Sequence, residues 1–328
     1  MNGMLNQNIE RRRAYSATGR DFHPDVPLSN LVIGYRPATL IADQIYPGVP
    51  VDKETGTYYV WDKAALWELH NAERSRGTAA KEIQFKVSSG NYVCLNFALR
   101  VPNPFEDLAN ADAQLRLRET SGMLVKDALS LAWEDRLAVL LTTGTNHCSN
   151  TNLTFNWGDV INGTPVTDIF NGIEAIRRTT GLKPNKAVIS EASWLRASRH
   201  PEIIDFIRGK GDSVGGGAVT EEQFARAFNL KQLLVGGGIK NTAPEGAAAG
   251  TFTDVWTTAF VLLYVADNPS IMSPSHGYTF QWTPEGFPGQ MAAEVYQNRE
   301  RKVEFVEVHQ YQDEVVTGTD LGFLITNA

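Results

Sequence analysis

Between Glu106 and Thr142 the chain contains no proline, and Leu108, Ala111, Leu115, Val125, Leu129, Ala132, Trp133, Leu137 and Leu140 recur at helical spacing on roughly one face. Such a stretch predicts one helix over residues 106–142, approaching about 50 Å at about 1.5 Å of rise per residue. Helices of globular domains average about 11–12 residues, so this one is a strut. Glu106, Asp107 and Asp112 lie near its start, where acidic groups suit the positive end of the helix dipole. Gly122 is the expected point of a bend, since an interior glycine costs about 1 kcal/mol relative to alanine.

The segment before the strut reads as strands: Thr57–Trp61, Glu82–Ser88 and Tyr92–Leu99. In the middle run Ile83, Phe85 and Val87 alternate with Glu82, Gln84 and Lys86, the pattern of a half-buried strand. The polar stretch from Glu68 to Lys81, with Arg74 and Arg76, then becomes the tip of a long hairpin. A two-stranded ribbon is marginal alone in water, so one with an apolar face requires a partner surface. Residues 1–46, interrupted by Pro24, Pro27 and Pro37, read as an extended arm that must also lie on something else.

After the strut, residues 143–165 read as a polar loop, and a helix over 166–180 is stopped by Gly181 and Pro184. An α/β alternation follows. Lys186–Ile189 is a short strand, Ser190 caps a helix carrying Trp194, and Thr220–Gln223 is a capping-box pattern. Leu233–Val235 and Phe260–Val265 are continuous apolar runs, as expected of strands covered on both faces. Gly215–Gly217, Gly236–Gly238 and the stretch from Thr242 to Thr251 read as flexible connections. The chain closes with a strand through Val303, Phe305 and Val308 and a last strand Leu321–Ile325.

Chemistry is harder to find. The histidines, at 23, 70, 147, 200, 276 and 309, form no His-x-x-x-His pair, and His147-Cys148 lacks further ligands nearby. Ser275-His276-Gly277 has no nucleophile elbow around it and reads as a plain turn. Gly236–Lys240 misses the spacing of a phosphate-binding loop. No catalytic residue, cofactor or metal ligand is therefore assigned. Two cysteines, Cys94 and Cys148, give no disulfide framework and fit a reducing compartment. No apolar stretch is long enough for a membrane span, and the first residues lack the apolar core of a signal peptide, so a cytoplasmic origin is expected. The net charge of −7 excludes a broad basic face for nucleic acid, leaving weak, non-specific contact at most. Arg11, Arg12 and Arg13 concentrate positive charge in the arm, read as solvated.

The order of these segments, with Ile45–Val51 entering the hairpin, Tyr92–Leu99 leaving it, Leu131–Leu137 near the helix end and Pro184–Ser190 beyond, resembles the major capsid proteins of tailed bacteriophages with the Hong Kong 97-type fold. The resemblance covers nearly the whole chain. It implies an α+β fold with an N-terminal arm (1–46), an extended loop (47–103), a peripheral domain (104–183 and 292–312) with the spine helix, and an axial domain (184–291 and 313–328). It also implies pentamers and hexamers tiling an icosahedral virion shell around double-stranded DNA, assembled in the host cytoplasm with a portal protein and, in some branches, decoration proteins. The candidate inter-subunit contacts are then Arg74, Arg76, Ile83, Phe85 and Val87 of the hairpin with Arg11, Arg12 and Arg13 of the arm. Some branches cross-link through a loop lysine, but Lys53, Lys63, Lys81 and Lys86 match no such motif. The arm is short for a cleaved scaffold segment, which favours a separate scaffolding protein. Two other readings stand beside this one: an encapsulin-like shell that encloses an enzyme, and a soluble α/β enzyme.

Overall fold

The computed structural model describes residues 40–61, 87–110, 116–208, 218–244, 249–269, 273–285 and 290–328, with Leu28 and isolated positions from 69 to 82. Arg11, Arg12, Arg13, Ile83 and Phe85 lie outside the described residues. The chain divides into two units, each assembled from three stretches: 1–36 with 95–129 and 282–311, and 37–94 with 130–281 and 312–328.

The larger unit is built on a five-stranded mixed sheet, in the order β5 (Ser149–Asn152), β14 (Gly322–Thr326), β10 (Ala259–Leu263), β6 (Lys186–Ser190), β7 (Gln232–Gly236). β10 pairs antiparallel with both β14 and β6, while β5–β14 and β6–β7 are parallel. Side chains alternate across a strand, so each apolar run feeds two cores. Ala187, Ile189, Phe260, Leu262, Phe323 and Ile325 face one core, with Ile169 and Ile176 of α4 (Pro165–Thr180) and Phe224 of α7 (Glu221–Ala227). Val188, Val261, Leu263 and Leu324 face the other, covered by Trp133, Leu137 and Leu141 of α3 (Leu117–Thr142) and by Ile41, Ala42, Ile45 and Tyr46. Gly172 lets α4 approach the sheet closely: a Cβ there would lie 2.7 Å from the Phe323 ring.

Local signals explain the helix ends. Gly181 terminates α4 in the left-handed conformation at φ 73°, and its N–H reaches the Arg177 carbonyl. Ser190 caps α5 (Glu191–Ala197), and Thr220 with Gln223 forms the complete capping box of α7.

In the smaller unit β12 (Met291–Asn298) pairs antiparallel with residues 303–310 of β13 (Val303–Val316). Val125 and Leu129 of α3 pack on Met291, Ala293, Val306 and Val308, with Phe97 and Val101 of β4 (Leu95–Pro104) at the edge of this core. Glu304, 1% exposed, is held bidentately by Arg118 at 2.5 and 2.7 Å.

Several sequence expectations need correction. The strut is two helices, α2 (Phe105–Asn110) and α3, because Arg116 ahead of α3 adopts φ 39°, which no right-handed helix can pass through. α3 alone spans about 39 Å at 1.5 Å per residue and continues through Gly122. The polar loop at 143–165 contains β5, an edge strand of the main sheet. The run Tyr92–Leu99 is not one strand: β3 (Val87–Val93) ends before Cys94, whose N–H turns to the Glu54 carbonyl, and β4 begins after it. Gly236 and Gly238 are packed rather than loose, since a Cβ on Gly236 would strike the Trp256 indole at 2.2 Å.

Candidate assembly surfaces

The ribbon is formed by β2 (Thr55–Trp61) and β3, paired from Thr55↔Val93 to Trp61↔Val87. One face carries Tyr58 and Tyr92, each opposite a glycine: a Cβ on Gly90 would lie 2.4 Å from the Tyr58 ring, and one on Gly56 would lie 2.4 Å from the Tyr92 hydroxyl. Both rings then stack on Phe280 of β11 (Gly277–Trp282), at centroid separations of 5.6 and 4.6 Å. The ribbon base is further fixed where the Val93 N–H donates to Asp313 Oδ2 at 2.8 Å.

The opposite face is different. Tyr59 is 59% exposed and Val87 47%, with Val93 similarly open. Val87 is therefore exposed at the start of β3, and most of the strand expected over 82–88 lies outside the described residues. Arg74 and Arg76, toward the tip, are exposed. Other apolar side chains reach solvent on a hydrogen-bonded turn: Ile161, 89% exposed, and Val160 follow Asp159, whose carboxylate accepts the Ile161 and Asn162 N–H groups and whose pKa is lowered chiefly by the Asn162 side chain. Trp157, fully buried and bonded to Asp168, anchors that turn.

The chain reaches the ribbon through a clip at residues 41–46, containing α1 (Ala42–Ile45). The buried Glu134 carboxylate accepts the N–H groups of Ile41 and Ala42 at 3.0 and 2.6 Å, and the Trp256 indole N–H at 2.5 Å. Burial raises its pKa against these hydrogen bonds. At the other end Lys186 Nζ donates to the carbonyls of Gln44 and Ile45, and the Tyr46 hydroxyl lies 2.6 Å from His276 Nδ1. Residues 48–51 then form β1, which joins β11.

Sequence reasoning missed Glu134, His147 and His276. Helical phase was the available signal for the first: Glu134 shares the buried side of α3 with Leu137, Ala138 and Leu141. The expected plain turn at Ser275–Gly277 is instead a buried bend leading into β11, and His276 is wholly enclosed. Among the described residues no group of three or more His, Cys, Asp or Glu is arranged to hold a metal ion.

No protein-family model matches the chain. Sequence comparison aligns it with the major capsid protein of Burkholderia phage BcepMu, 25% identical over 92% of this chain and 95% of the relative. The major capsid protein of Pseudomonas phage JBD67 is 24% identical over 94% and 97%. Among solved structures, a phage-related protein from Bordetella bronchiseptica RB50 superposes with a TM-score of 0.72 at 24% identity, covering 94% of this chain and 98% of that one. The mature capsid of bacteriophage PhiM1 gives 0.57 at 11% identity over 89% and 88%. The SrpI encapsulin of Synechococcus elongatus PCC 7942 gives 0.52 at 12% over 87% and 86%. The fold is thereby defined: α+β, of the Hong Kong 97 type. Its sequence similarity is to the two phage major capsid proteins.

Proposed function

We propose that this chain is the major capsid protein of a tailed bacteriophage, assembling through many copies into the head that encloses double-stranded DNA. The observation that carries this reading is similarity to two phage major capsid proteins along more than nine-tenths of the chain. The encapsulin alternative rests on a fold shared at 12% identity.

On this reading the work of the molecule is done by surfaces, and its role is structural rather than enzymatic. The extended loop, residues 47–103, lays the Tyr59, Val87 and Val93 face of its ribbon on a neighbouring subunit; the exposure of these three apolar side chains supports that assignment. The peripheral and axial parts take the boundaries expected from sequence, and copies gather into pentamers and hexamers around the axial parts. A portal protein, a separate scaffold and decoration proteins are the expected partners in the virion, with assembly in the host cytoplasm. The excess of acidic over basic residues, 37 to 30, suits a wall that holds packaged DNA weakly.

Electron microscopy of the purified protein, with its scaffold co-expressed, tests the reading. Closed shells are expected; monomers or small discrete oligomers under all assembly conditions would refute it. Shells from infected cells that hold an enzyme and no DNA would move the chain to the encapsulin side.

A further inference from the structure

His147 and His276, far apart in sequence, stack in the interior with ring centroids 5.1 Å apart and planes 17° from parallel. Both are buried, and each is oriented by a backbone carbonyl. His147 Nε2 lies 2.7 Å from the Leu141 carbonyl at the end of α3, and His276 Nε2 lies 3.0 Å from that of Asn146. A carbonyl can only accept, so both rings carry their proton on Nε2. His276 Nδ1 is then the acceptor for the Tyr46 hydroxyl, while His147 Nδ1 is buried without a partner. The backbone of Gly322 closes the site, for a Cβ there would lie 2.4 Å from His276 Nε2 and 2.5 Å from His147 Nδ1.

A second proton has no place in this arrangement. On His147 it would create an N–H facing no acceptor. On His276 it would turn Nδ1 into a donor against a phenol that already donates, and Tyr46 would have to release it. We propose that the His147–His276 stack is an acid-released latch, which at neutral pH ties Tyr46, and with it the clip leading to the ribbon, to the end of α3 and the start of β14.

The surroundings offer a proton only the Leu141 and Asn146 carbonyls, whose pull burial outweighs. Just after α1 the facing group is the Tyr46 phenol, kept protonated because burial raises its pKa. The last turn of α3 carries no basic residue, and the 3-10 turn at Gly144–Asn146 carries no acid or base. On β13, paired with the start of β11, Glu314 is engaged by Arg136 at 3.1 Å. Ahead of β14, Asp320 acts on the Cys148 thiol. Tyr264 meets His276 through its backbone carbonyl. Burial holds His276 down to about 3, helped by His147, and burial also lowers His147. Unfolded histidine titrates near 6.5, so this stabilisation is complete above about pH 6.5 and is lost as pH falls from there toward about 3. Glu134 works in the opposite sense, because burial raises its pKa and favours its protonated form in the folded chain.

The test is urea unfolding of the full-length subunit between pH 7.5 and 5.0, for the native chain, His147→Gln and His276→Gln. Below about pH 6.5 the neutral His276 ring multiplies the unfolding constant by about tenfold per pH unit, so His276→Gln should show a slope about tenfold per unit shallower than the native chain, and His147→Gln a slope shallower in the same direction. Hydrogen exchange, corrected for intrinsic rates, should show residues 41–46 opening on acidification in the native chain ahead of the main sheet. Equal slopes in all three proteins, or opening of 41–46 that does not respond to pH, would overturn the latch. If the variants fail to fold, nitrogen chemical shifts of the native histidines decide: two rings neutral on Nδ1 down to pH 5 support it, and either ring titrating near 6.5 in the folded chain refutes it.

Discussion

Glu134 and Trp256 share a hydrogen bond of 2.5 Å in the interior of the larger unit, the carboxylate accepting from the indole N–H while its other oxygen holds the Ile41 and Ala42 amides. All three donors are neutral, so removing the acceptor strands them together. Each buried unsatisfied group costs about 1–3 kcal/mol, which puts Glu134→Ala at about 3 kcal/mol or more of lost stability in urea unfolding. Glu134→Gln should cost less, since one oxygen survives. Its raised pKa adds a pH signature: the contribution is full below the unfolded value of 4.5 and declines as pH rises through the higher folded value. The native chain should therefore gain on Glu134→Gln as pH falls toward 4.5, read from the same denaturation curves.

The ribbon base depends on the pairing of large rings with glycines. Tyr58 covers Gly90 and Tyr92 covers Gly56, and only this lets both rings lie on Phe280. Gly90→Val should displace Tyr58 and cost about 1–3 kcal/mol, as overpacking usually does. Near-ultraviolet circular dichroism should report the disturbed tyrosines. An unchanged spectrum and stability would mean the ribbon tolerates a side chain there.

Arg118 and Glu304 form an asymmetric pair, with side-chain exposures of 55% and 1%. Solvent screens the guanidinium, which limits what the ion pair adds, but the carboxylate has little access to water. Gln297 supplies one further donor at 3.3 Å. Arg118→Met should destabilise by about 1–3 kcal/mol, and much of that should return in the double variant with Glu304→Gln. A double-mutant cycle of unfolding free energies measures the coupling; a value near zero would mark the bridge as incidental.

Much of this architecture was legible in the sequence because local chemistry wrote it there. Gly181, Ser190 and the Thr220–Gln223 box end or begin helices where they stand, and the apolar runs 233–235 and 260–265 feed two cores as their composition implied, although the second strand stops at Leu263. What escaped was set by distant partners. Arg116 has no sequence mark of a left-handed backbone, yet it ends the apparent strut. The polar run Ser149–Asn152 has no strand pattern, but β14 offers it an open edge. His276 looked like part of a turn because nothing near it in sequence names Tyr46, His147 or Gly322 as neighbours. Surfaces were read least well: Ile83 and Phe85 of the expected apolar face lie outside the described residues, and Val87, on β3, is 47% exposed.

Arg74 and Arg76 supply the sharpest separation of assembly from folding. Both are exposed, so reversing their charge should leave the subunit's own cores intact. Exposed charge pairs are individually weak and screened by salt, but a shell repeats each one many times, so a small change per contact is multiplied in assembly. Arg74→Glu with Arg76→Glu should fold with native urea stability and fail to form closed shells at concentrations where the native chain does so. If the pair meets acidic groups on a neighbour, raising salt should weaken native assembly and narrow its advantage over the double variant. Sedimentation for shells and urea unfolding for subunits give the two readings independently. Loss of both together would place the tip's role within a single chain, whereas normal assembly would remove these arginines from the contact.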